Sequence, residues 1–327
     1  MKQCNAGELL EKTPDHGFPG DYLLSRIKGR RARLVSGWNA LVTTPSPLEH
    51  LPDGHYQKAF DGRNPEAVWR ALLGEYRWLY HQMNGRLRET LSPFFLYTEL
   101  RTLFICLRYV RELKGGRSRE ILTQSLLCDE LRRILGRSQD GLSAAMGIEE
   151  NFLCLSGQFR GIAEIMQHEG LKSFERELTE RFLSVIVRSV PDPALTALFM
   201  RLIDARNILA TAKLLKTATQ VKHHFIPGGT VDTGRLMEIL QAKTVPGADR
   251  LLREWTGEEV TSSDLIGVEA SLYRGISRSL KRYGREPLGT GPILDYLWKC
   301  SIEAMNLAIL SYGHKLKRDV VAAELVQ

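Results

Sequence analysis

The chain has 327 residues, 43% hydrophobic and 25% charged, with 45 Lys+Arg against 38 Asp+Glu and a formal net charge of +7. That is an ordinary globular balance with enough length to bury a large core, and the charge excess is too small to indicate nucleic-acid binding by itself. No stretch approaches the 18 or so uninterrupted apolar residues of a membrane span.

In chain order, the first 20 residues carry Pro14, Gly17, Pro19 and Gly20 as breakers and read as a poorly ordered lead. The lead holds acids and no apolar signal core, which argues against secretion. From Asp21, DYLLSRIKGRRARLVSGWNALV reads as a helix with Tyr22, Leu23, Ile27 and Leu34 inward and a basic flank of Arg26, Arg30, Arg31 and Arg33. Such a flank is a solvated face unless an acidic partner meets it. Residues 44–65 are turn-rich, with four prolines. Pro65-Glu66 then opens a long helical region, with proline in the first turn and an acid at the positive end of the dipole. Helices are expected over 76–91 and 94–113, parted at Ser92-Pro93 and stopped by Gly115-Gly116, then over 118–136, about 142–168 and 172–190. After Pro191-Asp192-Pro193 comes LFMRLIDARNILATAKLLK, residues 198–216, apolar on nearly every side and so a buried helix. The loop past it holds Pro227-Gly228, which suits a type II turn. Two short helices parted by Val245-Pro246-Gly247, a long one from Asp264, another after Gly289-Thr290-Gly291-Pro292 and a short tail helix complete an all-α reading.

Asp204, Asn207 and Thr211 form a narrow polar strip on the buried helix. Buried polar groups need partners, because leaving one unmatched costs about 1–3 kcal/mol, so the strip is expected to dock on a neighbouring helix or a backbone turn. The acid-x-x-polar unit recurs as Glu99/Thr102 and Glu303/Asn306. Its copies stand 105 and 99 residues apart (204 − 99 and 303 − 204), each in the same order of helix, break, helix and glycine. One such match means little; three in order point to a triplication, with repeats over 1–117, 118–232 and 233–327. The repeat anchors are then Glu99, Thr102, Asp204, Asn207, Glu303 and Asn306.

Catalytic and ligand-binding signatures are sparse. Gly228-Gly229-Thr230 has no following Lys-Ser/Thr and makes no phosphate loop. His223 and His224 are adjacent, so on a helix they diverge by about 100°. The five cysteines are odd in number and scattered, without zinc spacing, and read as reduced core thiols of a cytosolic protein. Trp69, Tyr76, Trp78, Tyr80 and Tyr97 lie at helical spacing beside leucines, as core rather than as a stacking platform. No cofactor is expected. Asp204, Glu303 and Glu99 admit a second reading as catalytic carboxylates, with Asp204 and Glu303 those of a metal-dependent helical enzyme. One per repeat at equivalent places favours helix-helix hydrogen bonding.

Several segments together resemble the C-subunit family of bacterial and archaeal V/A-type rotary ATPases, whose eukaryotic vacuolar counterpart is the d subunit. They are Tyr22-Leu23-Leu24-Ser25-Arg26, Ile203-Asp204-x-x-Asn207-Ile208, Phe225-Ile226-Pro227-Gly228-Gly229, Gly291-Pro292-Ile293-Leu294-x-Tyr296 and Glu303-x-x-Asn306-Leu307. The first repeat departs from the family pattern, with Glu99-Leu100-Arg101-Thr102-Leu103 where an Asp-x-x-Asn-Leu motif is expected. The resemblance implies three similar helical domains in a pseudo-threefold funnel. It further implies a non-catalytic rotor adaptor, monomeric when isolated, that joins the central shaft to the membrane rotor ring on its cytoplasmic face. Proton or sodium-ion transport would be coupled through it, with no nucleic-acid partner. The competing reading is an all-α scaffold unrelated to rotary motors.

Overall fold

The computed structural model describes residues 4–35, 37–43, 65–112, 115–217, 224–286, 289–313 and 318–326. Among them the fold is helical, and the extended pairing is one isolated antiparallel bridge, Leu10 with Leu127. The helices run α1 (Gly20–Arg31), α2 (Trp38–Thr43), α3 (Pro65–Gln82), α4 (Gly85–Arg111), α5 (Gly115–Leu122), α6 (Asp129–Arg137) and α7 (Gly141–Phe152). They continue with α8 (Ile162–Glu169), α9 (Leu171–Ser189), α10 (Pro193–Thr217), α11 (Thr233–Gln241), α12 (Val245–Thr256), α13 (Leu265–Tyr283), α14 (Gly291–Gly313) and α15 (Arg318–Glu324). No helix among the described residues is long and apolar enough to cross a membrane.

The chain forms two compact units, one from Met1–Leu23 and Leu73–Asp192, the other from Leu24–Leu72 and Pro193–Gln327. In the first, Tyr76, Phe94 and Phe95 pack edge to face at 5.8–6.0 Å in a buried aromatic centre, and Tyr97 stacks on Phe182. Trp69, in the second unit, is also buried. These rings are core, as their helical spacing among leucines implies. The second unit is built on α10, whose Ile208 and Ala212 pack with Leu236 and Ile239 of α11, Leu251 and Leu252 of α12 and Val268 and Leu272 of α13.

Several local expectations are corrected. The described part of the lead is ordered: Asn5 caps a short 3-10 turn, Leu9 and Leu10 are buried, and the Glu11 N–H donates to the Leu126 carbonyl at 2.7 Å. Cys4 and Cys154 form a disulfide, so the five thiols are not all reduced; Cys106, Cys128 and Cys300 are free. Pro93 does not break its helix. It removes the N–H that would bond the Glu89 carbonyl four residues back, and the Ser92 hydroxyl donates to that carbonyl instead, at 2.8 Å. The break falls at Met83-Asn84, where Asn84 accepts from the Leu87 N–H and caps α4. The 94–113 helix does end just ahead of Gly115-Gly116, at Arg111, but these glycines also open α5, and the expected 118–136 helix is two, α5 and α6, parted by an extended turn around Ser125–Cys128.

Likewise the 142–168 helix is α7 and α8, with a 3-10 turn at Gly157–Phe159 between them. Val245-Pro246-Gly247 forms the first turn of α12, proline being tolerated there, and the chain turns at Lys243, whose φ is +50°. The basic helix at the N-terminus is interrupted between α1 and α2. The turn-rich stretch of 44–65 falls, but for its last residue, outside the described residues, as does His223.

Candidate functional site

The three acid-polar pairs sit on α4, α10 and α14, and all six residues are buried. Their burial follows from their place on the helix: Glu99, Asp204 and Glu303 stand among the buried apolar residues of long helices, while charged neighbours such as Arg101 and Arg206 take the exposed faces. Each carboxylate must then find donors within the fold.

In the second copy the answer is a backbone turn. The Asp204 carboxylate accepts the Val231 N–H at 2.9 Å, the Thr230 hydroxyl and the Trp255 indole N–H at 3.1 Å. Asn207 reads the same loop from one turn further along, its amide accepting from the Ile226 N–H and donating to the Ile226 carbonyl, both at 2.9 Å. Thr211 bonds back to the Asn207 carbonyl at 2.9 Å. The loop reaches this close because Gly228 takes φ +100° and Gly229 lacks a Cβ; a Cβ there would stand 2.1 Å from Asp204 Oδ1. Arg201 lies over the Trp255 ring, 4.6 Å from its centre, and so steadies the indole that Asp204 holds.

The first copy repeats the acid's role. Glu99 accepts the Leu126 N–H at 2.6 Å and the Ser125 hydroxyl at 2.8 Å. Those partners lie 27 and 26 residues downstream, the same separations as Val231 and Thr230 from Asp204. Ser125-Leu126 and Thr230-Val231 are therefore equivalent turns, which sequence reasoning missed; an aligned hydroxyl-apolar pair at a shared spacing was the available signal. Burial raises the Glu99 carboxyl above its ordinary range, against the pull of the Leu126 amide and the Ser125 and Thr102 hydroxyls. Burial also pushes the neighbouring Cys106 thiol up to about 12, with the charge of Glu99 adding to it, so that thiol is unreactive.

The third copy keeps the amide's role. Asn306 accepts from the Val326 N–H at 3.0 Å and donates to the Val326 carbonyl at 2.7 Å. Glu303, however, takes the N–H of Val35 at 2.7 Å, 268 residues away in sequence. Each backbone segment gripped by an acid leads into a helix two or three residues later: Leu126 into α6, Val231 into α11 and Val35 into α2. The N-terminal segment thus stands for the third acid where the downstream turn stands for the other two.

Of the basic flank, Arg31 turns back to Asp295 of α14 at 2.9 Å, a carboxylate that Lys299 also meets at 2.8 Å. Arg33 is exposed, and Arg26 and Arg30 have partners in the fold. Among the described residues no three His, Cys, Asp or Glu side chains gather to hold a metal ion. The carboxylates of the anchors are taken up as backbone acceptors, which is a structural use.

The sequence profile of the family described as ATP synthase (C/AC39) subunit matches residues 50–321. Two relatives, each named as the C subunit of a V-type ATP synthase and drawn from two strains of Thermus thermophilus, are each 24% identical over 307 residues, which is 89% of this chain and 92% of theirs. With its acids and amides spent on holding its own backbone, and with most of its length matched by that profile, the chain belongs to the ATP synthase C/AC39 family.

Proposed function

We propose that this chain is the non-catalytic central-rotor adaptor of a V/A-type ATPase or ATP synthase. In that role it is a socket that joins the central shaft to the membrane rotor ring and couples rotation to proton or sodium-ion transport. The observation that carries the reading is the use of the buried acids: Glu99, Asp204 and Glu303 each grip a backbone N–H across the fold. A part that transmits torque needs helices locked to the turns beside them, and buried charge-assisted hydrogen bonds in a packed core supply that stiffness. The relatives' name, which makes them parts of a V-type ATP synthase, supports placement in such a complex.

In this reading the repeats over 1–117, 118–232 and 233–327 form a pseudo-threefold funnel at the cytoplasmic face of the membrane, held there through the ring. The flank of Arg26, Arg30, Arg31 and Arg33 faces an acidic partner surface. Because Arg31 is engaged by Asp295, the exposed Arg33 carries the outward charge most directly. Affinity capture of the tagged full chain from native membranes tests the reading. It predicts co-purification of the shaft and ring proteins, weakened by Arg33→Glu; capture of neither contradicts it.

A further inference from the structure

Between α13, α14 and the end of α15 runs an open trough with a volume of about 310 Å³. Its apolar lining comes from Ile266 and Ala270 of α13, which stand one turn apart, and Met305 and Ile309 of α14, which do the same. Val326 also lines it, and its place is fixed by the two bonds from Asn306, so the trough is built onto the third anchor. Ile266 is 48% exposed, a large apolar side chain at the lip.

Two carboxylates, Glu269 and Glu324, also line this trough, and neither makes an ion pair among the described residues. The contrast with the same helix's other acid contact is sharp. Glu258 is held by Arg274 at 2.7 Å and Arg278 at 2.6 Å, both on α13. Among the described residues these are two carboxylates without an ion-pair partner beside an apolar strip, in a chain whose basic residues outnumber its acidic ones, 45 to 38. The volume sits at the bottom of the range for pockets that enclose a small molecule, and the site is open rather than concave on all sides. An apolar strip between two helices with charge along its sides is the complement of an amphipathic helix, which sets anchors at i, i+3 or i+4 and i+7 into the groove.

We propose that this trough docks an amphipathic helix of a different protein chain, with apolar anchors over Ile266, Ala270, Met305 and Ile309 and Lys or Arg side chains opposite Glu269 and Glu324. The charge pairs set which helix is accepted and in which direction it lies. The proposal does not need the partner to belong to the shaft or the ring. A helix from outside a rotary complex would leave the trough assignment standing and count against the rotor reading.

The test uses the full chain in its source cell, with photoreactive benzoylphenylalanine replacing Ile266, and maps the crosslinked peptide by mass spectrometry. The expected product is a peptide of another protein with apolar residues at helical spacing and Lys or Arg beside them. Glu269→Lys with Glu324→Lys should lower its yield about tenfold, and Glu269→Gln with Glu324→Gln should lower it less. Circular dichroism checks that each variant is folded. If the lysine pair does not fold, loss of crosslink to the wild-type chain in about 1 M salt reads the same charge term. Crosslinks to residues 44–64 or 314–317 of this chain, to a second copy, or to an acidic peptide would overturn the proposal. So would no crosslink at all, or a yield indifferent to charge reversal and salt.

Discussion

The first and second anchors solve one problem with different parts. Both acids accept the N–H of a residue 27 positions downstream and a hydroxyl one residue before it. They differ in the polar residue a turn later. Asn207 clamps the irregular backbone at Ile226, whereas Thr102 faces no such loop, because the corresponding stretch, near Ile121, is the last turn of α5 and bonds within its own helix. The first turn gains support from elsewhere: Leu9 and Glu11 of the lead pair with Cys128 and Leu126 on its open edge. The acid's partner is therefore the common element, and the amide is retained where descending backbone would otherwise be buried without donors and acceptors.

The strongest way to break this comparison is to remove an acid. Asp204→Ala leaves the Val231 N–H, the Thr230 hydroxyl and the Trp255 N–H without their acceptor, and should cost about 3–5 kcal/mol in urea unfolding. Asn207→Ala and Asn306→Ala each strand a buried N–H and a buried carbonyl, and each should lose about 2–4 kcal/mol, with similar values for the two. Gly229→Ala should cost about 1–3 kcal/mol, since the new Cβ forces the loop off Asp204. Thr102→Val should cost about 1 kcal/mol or less, and a loss equal to that of Asn207→Ala would erase the distinction between the first and second copies.

The smallest effect concerns acid stability outside the anchors. Burial opposes ionisation of Glu258, but Arg274 and Arg278 prevail and hold its carboxyl down to about 2 from an ordinary 4.5. A depressed carboxyl stabilises the fold above its unfolded value and loses that contribution as pH falls. Wild-type stability should therefore decline between about pH 4.5 and 2. Glu258→Gln should flatten that part of the profile, as read by thermal melts across the range.

Much of this was legible in the sequence because it is local. The polar strip of Asp204, Asn207 and Thr211 within an apolar helix predicts a backbone or helix partner, and the turn at 226–231 is one. The all-α class follows from helical periodicity along the chain. What the sequence hides is compensation and distance. Pro93 reads as a break because nothing in the spelling says that the Ser92 hydroxyl will take the orphaned carbonyl. Ser125–Cys128 reads as helix interior because its leucines continue the period, yet Glu99 and the lead hold it extended. Val35 has no feature that marks it as the partner of a glutamate 268 positions on. Nor does the scatter of cysteines show that Cys4 and Cys154 meet.

The central claim is that one acid on each of α4, α10 and α14 grips a backbone N–H, with the N-terminal segment serving the third. Amide hydrogen exchange at Leu126, Val231 and Val35 tests it most directly. All three should exchange slowly, and Glu303→Ala should release Val35 while leaving Leu126 and Val231 protected. Fast exchange at Val35 in the unmutated chain, or protection there that survives Glu303→Ala, would contradict it.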